Sequence, residues 1–228
     1  MIPIRDQNPT RHTPVMNYLL IAANVLVFLF FLMAGANQEA LVYQFALIPS
    51  NVTAGVDLGD VRDIFTSMFM HGGWAHLLGN MLYLWIFGDN VEDRLGSFNY
   101  LLFYLAGGVA ASLAHILTNP GSQIPTVGAS GAIAAVLGAY LVMFPRSRIL
   151  TLVPIFVFVQ IVEIPAVFFL GIWFLLQLLS GVGSLGQPAD VGGVAFWAHA
   201  GGFVAGLLLV APFRRPERHR VEWWDPRP

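Results

Sequence analysis

The sequence predicts an all-α membrane protein with six transmembrane helices and both termini in the cytoplasm. Its composition, its long apolar runs and the placement of its arginines lead to this prediction. Of the 228 residues, 57% are hydrophobic and only 11% are charged, whereas a soluble domain carries about 25% charged residues. The mean hydropathy of +0.69 agrees with a chain that lies largely in lipid.

Six apolar runs are long enough to cross a bilayer, which takes roughly 20 residues of helix. They cover about 17–34, 74–91, 98–118, 128–144, 162–182 and 195–213. A seventh run, 149–159, is short and contains Pro154, so we expect it to lie in the membrane interface or to continue into the fifth span. The first run has no convincing cleavage site after it and is interpreted as a retained span.

Arginine sets the predicted orientation, because the chain has no lysine. Ten of the eleven arginines fall on one side of the six-span arrangement, and only Arg62 falls on the other. An excess of basic residues marks the cytoplasmic side. The chain therefore divides into a cytoplasmic segment (1–16), a six-helix membrane domain (17–213) and a short arginine-rich cytoplasmic tail (214–228). This predicts a multi-pass protein of the cell (plasma or inner) membrane.

The charge and the cysteine count exclude several functions. The net charge is -2 and no long basic run occurs, so nucleic acid is not an expected partner. The chain contains no cysteine, which excludes disulfides, thiolate catalysis and cysteine-ligated zinc. No motif of the His-Glu-x-x-His type is present for a catalytic metal, and no metal is expected.

Three polar motifs interrupt the apolar runs, where polar groups are costly and are usually functional. They are His71-Gly-Gly-Trp-Ala-His76-Leu-Leu-Gly-Asn80, Gly128-Ala-Ser130-Gly131 and Ala198-His199-Ala-Gly201-Gly202. The predicted second, fourth and sixth spans all run from the outside to the inside. Each motif then lies within about two turns of the outer end of its span. This common depth predicts one site that opens toward the non-cytoplasmic side.

Ser130 and His199 are the candidate nucleophile and its base. Small residues follow each of them on one helix face, at Ala134 and Gly138 and at Gly202 and Gly206. If these stripes pack together, Ser130 Oγ and His199 come within hydrogen-bonding reach, about 2.6–3.2 Å. The alternatives are a helix start with small residues for close packing and a histidine that binds a neighbouring carbonyl.

His76 and Asn80 are spaced i, i+4 and share one face of the second span. Both side chains can donate to an oxyanion, and each such donor commonly contributes about 3 kcal/mol. The alternative is a polar clamp between helices. His71 lies at the junction of loop and helix, where a structural role is expected.

The remaining polar residues carry weaker predictions. The segment Phe87–Gly96 is interpreted as a turn held by Glu92 and Arg94. Gln177 is expected to bind a neighbouring helix or to line a substrate entrance, and no role is assigned to His115. No acidic residue lies in a span near His199, and Asp190 is the nearest in sequence. A Ser–His dyad is simpler, because apolar surroundings favour neutral histidine.

These motifs, together with Gly88…Glu92…Arg94-Leu-Gly96, resemble the rhomboid intramembrane serine proteases over roughly 60–210. The resemblance implies a six-helix rhomboid fold with Ser130 as nucleophile and His199 as general base and then acid. It also implies an oxyanion hole formed by His76, Asn80 and the Ser130 backbone amide. The implied substrates are single-span membrane proteins, cleaved in or near the bilayer by a serine endopeptidase. No cofactor is implied.

Two positions depart from the family pattern. Many members have a tyrosine one turn after the serine that stacks on the histidine, and Ala134 stands there. Phe196 or Trp197 is the expected substitute. Many members also have Trp-Arg in the first loop, where this chain has Arg62-Asp63.

Two other functions fit the composition. The first is a non-proteolytic rhomboid-like protein that binds membrane clients. Such relatives typically lack the serine or the histidine, and both are present here. The second is a transporter, for which polar groups near the midplane and internal repeats are expected.

The glycine-rich segment 181–193 is expected to form a mobile cap over the site while the fifth span moves to admit substrate.

Overall fold

The computed structural model describes residues 1–155, 158–184 and 195–214. Within these ranges the chain forms nine α-helices, one short 3-10 turn (Gly35–Asn37) and three β-strands. The helices are α1 (Val15–Met33), α2 (Gln38–Phe45), α3 (Pro49–Ala54), α4 (Leu58–Ser67), α5 (Trp74–Leu95), α6 (Ser97–Thr118), α7 (Ser130–Met143), α8 (Ala166–Ser184) and α9 (Phe196–Phe213). The strands are β1 (Ile2–Asp6), β2 (Arg148–Ile155) and β3 (Phe158–Pro165).

Four helices in the described ranges, α1, α6, α8 and α9, are long and apolar enough to cross a membrane. The protein is therefore a multi-pass membrane protein. Of the other two predicted spans, α5 has 22 residues and carries four charged side chains in its last two turns. The apolar α7 has 14 residues, which at 1.5 Å per residue is about 21 Å long.

The short helix α7 lies at the centre of the molecule. All residues from Gly131 to Tyr140 are buried, because α5, α6, α8 and α9 all contact this helix. A helix enclosed by other helices does not need to match the thickness of the bilayer, since protein rather than lipid covers its surface.

Glycine allows α9 to approach α7 at backbone distance. A Cβ at Gly202 would overlap the Gly131 carbonyl oxygen, and one at Gly206 would overlap the Ala135 carbonyl oxygen. A Cβ at Gly138 of α7 would likewise overlap a carbonyl oxygen of α9. Small residues at helix contacts are the usual means of close packing in membranes, where van der Waals contact drives helix association.

The predicted stripe on α9 makes this contact, and so does Gly138 of the predicted stripe on α7, but the other two positions of the α7 stripe are displaced by one residue. Gly131 and Ala135 face α9, in place of the predicted face through Ser130 and Ala134. Ser130 therefore lies at the edge of the contact rather than within it. From this position its hydroxyl can reach a side chain of α9 instead of being enclosed in the backbone contact.

The prediction of an all-α protein is wrong for three segments, which form an antiparallel sheet in the order β1-β2-β3. The register pairs Ile2 with Leu152 and Leu152 with Ile161. The run 149–159 thus enters a hairpin, and the helix of the predicted fifth span begins at Ala166 instead of 162. An apolar run of about eight residues does not distinguish strand from helix by periodicity, and its β-branched residues favour the strand.

The aspartate that ends β1 attaches the sheet to the helices. Asp6 accepts hydrogen bonds from the Tyr140 hydroxyl at 2.6 Å and from Asn90 Nδ2 at 3.0 Å. The N-terminal segment is therefore fixed to α7 and α5, at the end of α7 opposite to Ser130.

The segment Phe87–Gly96 is not a turn, because α5 continues to Leu95 and ends at Gly96, which has φ 82°. Glu92 instead caps α1. Its carboxylate accepts the backbone N–H groups of Met16 at 3.1 Å and Asn17 at 2.7 Å. The first N–H groups of a helix have no partner within the helix, and α1 has no side-chain cap of its own. Glu92 supplies this cap from α5.

We predict that Glu92→Ala lowers the free energy of unfolding by about 3 kcal/mol, because the buried N–H of Asn17 and the partly buried N–H of Met16 lose a charged acceptor. Reversible unfolding in mixed micelles measures this loss. The matched control is Glu163→Ala, since the side chain of Glu163 is 42% exposed and its contacts with Gln7 and Arg148 should contribute at most about 1 kcal/mol. Equal losses in the two variants would contradict the capping role of Glu92.

Candidate active site

Ser130 is the first residue of α7, and the loop before it is fixed to the first loop of the protein. Leu47 and Thr126 exchange two backbone hydrogen bonds of 3.2 and 2.7 Å, and the Gly128 N–H donates to the Ser67 carbonyl at 2.9 Å. Gly128 has φ 135°, a backbone conformation that residues other than glycine rarely adopt. The chain thus turns sharply into α7 with Ser130 in a fixed position.

His199 lies in the first turn of α9 and is 9% exposed. Its Nε2 lies 2.7 Å from Ser130 Oγ. Its Nδ1 lies 2.8 Å from Oε1 of Gln177, on α8. The imidazole is therefore held from both sides, by α7 and by α8.

The surroundings of Gln177 indicate which nitrogen of His199 carries the proton. Nε2 of Gln177 donates to the Trp173 carbonyl at 3.4 Å, so the amide oxygen faces His199. An amide oxygen only accepts hydrogen bonds, and Nδ1 of His199 must therefore be the donor. In the neutral imidazole Nε2 then carries the lone pair, and Ser130 Oγ–H donates to it. This is the arrangement in which a histidine accepts a serine proton.

The aromatic ring beside His199 comes from α8 rather than from α9. The Trp173 ring centroid lies 6.0 Å from that of His199 at an interplanar angle of 35°. The expectation that Phe196 or Trp197 fills this role is wrong for Trp197, whose ring packs toward Gly181. Trp197 precedes His199 by only two residues and therefore lies on a different face of α9. Sequence reasoning missed Trp173.

The signal for this support was present in the sequence as spacing. Trp173 and Gln177 are i, i+4 and so lie on one face of an otherwise apolar helix. The sequence did not predict that this face contacts His199, because it does not show which side of α8 packs against α9.

His76 lies against Gly128, close to Ser130. The position that a Cβ would take at Gly128 is 2.8 Å from His76 Nε2 and 3.5 Å from Ser130 Oγ. The Gly72 N–H donates to Nδ1 of His76 at 3.4 Å. Neutral His76 therefore carries its proton on Nε2, which is the nitrogen that faces Gly128.

Asn80 is buried on the same face of α5 as His76. Its Nδ2 has no hydrogen-bond partner among the described residues. A buried donor without a partner is costly and calls for an explanation. His71, the other histidine of this motif, is buried and contacts the His76 ring edge-on at a centroid distance of 5.0 Å.

A cavity of about 30 Å³ adjoins Ser130. Its polar lining comes from Ser67, Ser112, His115 and Thr126. The rest of the lining is apolar, but a cavity of this size with several polar partners has room for a water molecule. His115, to which sequence reasoning gave no role, bonds Thr126 Oγ1 at 3.0 Å and thereby forms part of this wall.

Two sequence predictions lie outside the described residues. Asp190, the nearest acidic residue to His199 in sequence, is in the segment 185–194. The same segment contains most of the glycine-rich stretch 181–193 that we expected to act as a cap.

The geometry unites a hydroxyl, an imidazole that accepts its proton, and nearby donors. The donors are His76, Asn80 and the N–H groups at the start of α7, which have no partner within that helix. Each of the predicted residues Ser130, His199, His76 and Asn80 lies in a helix that contacts α7 or in α7 itself. These are the parts that acyl transfer requires.

Comparison with known proteins gives a consistent result. The family model of the Rhomboid domain matches residues 58–216. The chain is 37% identical over 137 residues to rhomboid protease GluP of Bacillus subtilis, which covers 59% of this chain and 26% of that protein. It is 32% identical over 149 residues to the mitochondrial Rhomboid protein 1 of Saccharomyces cerevisiae, covering 64% and 40%.

A human relative is similar at the same level. The mitochondrial presenilin-associated rhomboid-like protein is 30% identical over 142 residues, covering 61% of this chain and 36% of the human protein. The chain thus spans less than half the length of each of these three relatives. Because the family model matches more than half of the chain, and the motifs around Ser130 and His199 lie within that match, the protein belongs to the rhomboid family.

Proposed function

We propose that this protein is an intramembrane serine endopeptidase that cleaves the transmembrane segments of other membrane proteins. The observation that carries the proposal is the 2.7 Å contact between Ser130 Oγ and His199 Nε2, in a rhomboid-family chain with several membrane-spanning helices. Membership of the family supports a function of the protease type.

In the first half of the proposed reaction, Ser130 Oγ attacks the carbonyl carbon of the scissile peptide while its proton passes to His199 Nε2. The resulting tetrahedral intermediate collapses as the imidazolium gives the proton to the leaving amide nitrogen. The C–N bond breaks, and the acyl group remains on Ser130 as an ester.

In the second half, water attacks the ester carbonyl and His199 again takes the proton. The C–O bond to Ser130 breaks, and the proton returns to Oγ. The cavity beside Ser130 supports this step, because it has room for a water molecule and polar side chains in its wall. The reaction uses only these side chains and water.

The oxyanion that forms in each half is stabilised by His76, Asn80 and the Ser130 backbone N–H. The donors are the proton on Nε2 of His76 and Nδ2 of Asn80, which has no hydrogen-bond partner among the described residues. The α7 N-terminus adds the positive end of the helix dipole.

The membrane arrangement in this proposal has six spans, with α5 and α7 as the second and fourth. The segment 1–16 and the tail 214–228 then lie in the cytoplasm on either side of the membrane domain 17–213, and the site opens to the non-cytoplasmic side of the cell membrane. The arginine distribution supports this orientation. Substrates in this scheme are single-span proteins that approach through the bilayer.

We predict that Ser130→Ala and His199→Ala reduce cleavage by roughly 10⁴-fold or more, because each removes one member of a unit that acts together. The assay uses proteoliposomes with a panel of single-span substrates, and a fluorophosphonate probe followed by peptide mapping locates the adduct on Ser130. Ser50→Ala and His12→Ala are the matched controls, since both residues lie outside the site and should leave cleavage unchanged.

Normal cleavage by Ser130→Ala would contradict the proposal. Absence of cleavage by the wild type, together with normal cellular function of Ser130→Ala and His199→Ala, would instead favour a non-proteolytic protein that binds membrane clients.

We also predict that His76→Ala and Asn80→Ala each lower kcat by about 10²- to 10³-fold with little change in KM. The reason is that an oxyanion donor acts mainly in the transition state. Steady-state kinetics in detergent micelles separates the two constants. Asn51→Ala, at an exposed position of α3, serves as the control. A raised KM with an unchanged kcat would show that these side chains bind substrate or clamp helices instead.

A further inference from the structure

His199 has one polar contact on the side away from Ser130, and that contact is made by an amide. Among the described residues, the hydrogen bonds of its ring are those to Ser130 Oγ at 2.7 Å and to Gln177 Oε1 at 2.8 Å. The carboxylate of a Ser-His-Asp triad would occupy the second of these places. Here the place is filled from α8, a helix that carries no charged residue.

We propose that Gln177 is the positioning residue of His199, a role that rests on the function proposed above. Gln177 accepts the Nδ1 proton and thereby keeps the lone pair on Nε2, facing Ser130. The imidazole ring is neutral or cationic during the reaction, and in both states Nδ1 carries the proton. The amide oxygen of Gln177 can therefore accept the Nδ1–H hydrogen bond of His199 throughout the catalytic cycle.

Gln177 is itself held in the required orientation. Its amide Nε2 donates to the Trp173 carbonyl one turn earlier. If the amide were flipped, its NH₂ group would face the N–H at Nδ1 of His199, and its oxygen would face the Trp173 carbonyl oxygen. Both contacts would then be repulsive. The Trp173 ring lies beside the imidazole in a tilted arrangement. Trp173 and Gln177 together replace the aromatic support that Ala134 does not give.

An amide suits this position because the surroundings are apolar. A carboxylate in a membrane helix is costly unless it is paired, whereas a neutral amide oxygen gives the same hydrogen-bond geometry without a charge. The stabilisation of an imidazolium is correspondingly weaker, and the contribution of Gln177 to the rate is smaller than that of a triad aspartate.

The role of Gln177 makes the dyad dependent on the docking of α8 against α9. The Phe174 ring stacks on Phe203 at 4.7 Å and the Trp173 ring lies 5.9 Å from the same Phe203. Any movement that separates these rings also removes Gln177 from His199. The proton-accepting tautomer is therefore fixed only while α8 is docked.

The test compares Gln177→Leu, which has no acceptor, with Gln177→Glu, which keeps an oxygen at the same place. Gln177→Leu should lower kcat roughly 10- to 100-fold, less than the ~10⁴-fold loss of a triad aspartate, with KM changed by less than about twofold. Gln177→Glu should retain most of the wild-type kcat. Gln160→Leu on the exposed strand β3 is the matched control and should leave both constants unchanged.

A spectroscopic readout separates positioning from a general loss of structure. With ¹⁵N-labelled histidine and His199 assigned by substitution, the wild type should show a protonated Nδ1 and an unprotonated Nε2. In Gln177→Leu the second tautomer, with the proton on Nε2, should become populated. If Gln177→Leu does not fold, Gln177→Met, which keeps the length of the side chain, takes its place.

A kcat within twofold of the wild type in Gln177→Leu, or an unchanged tautomer, would overturn the proposal. The failure of the proposed function has a different signature, because cleavage would then persist in Ser130→Ala or be absent from the wild type. The tautomer measurement needs no activity, so it tests Gln177 in either case.

Discussion

The approach of α9 to α7 at backbone distance determines where the polar groups of this protein can meet. Gly202 packs on the carbonyl of Gly131, one residue after Ser130, and lies one turn after His199. The two helices are thus in backbone contact immediately beside Ser130 and His199. A 2.7 Å contact between Ser130 and His199 is possible because no side chain separates the backbones at that point.

The remaining helices complete the site around this rigid pair. On one side α5 brings His76 and Asn80, and on the other α8 brings Gln177 and Trp173 to the imidazole. In the proposed reaction these two sides have different tasks, since α5 stabilises the developing oxyanion and α8 keeps the base in its accepting tautomer. The apolar surroundings strengthen both effects, because hydrogen bonds are electrostatically stronger where water is scarce.

The sequence predicted the positions of the helices in the membrane region well. It did not predict the sheet or which faces of the helices contact one another. Polar residues in apolar runs singled out Ser130 and His199, since such residues are rare and costly in lipid. Periodicity did not separate strand from helix for 148–165, so the sheet with β1 was missed. Gln177 and Trp173 were visible as an i, i+4 pair, but their partner depends on how α8 is rotated, which is set by packing against Phe203.

The most direct test of the central claim is the rate of fluorophosphonate labelling of Ser130 in Gly202→Ala, measured by mass spectrometry. Gly171→Ala on α8 is the control, because a Cβ there meets nothing within 4 Å. If the contact between α7 and α9 positions the dyad, the added methyl group should slow labelling by about 100-fold, as expected for a displacement of about 1 Å, while Gly171→Ala labels normally. Labelling of Gly202→Ala at the wild-type rate would contradict the account.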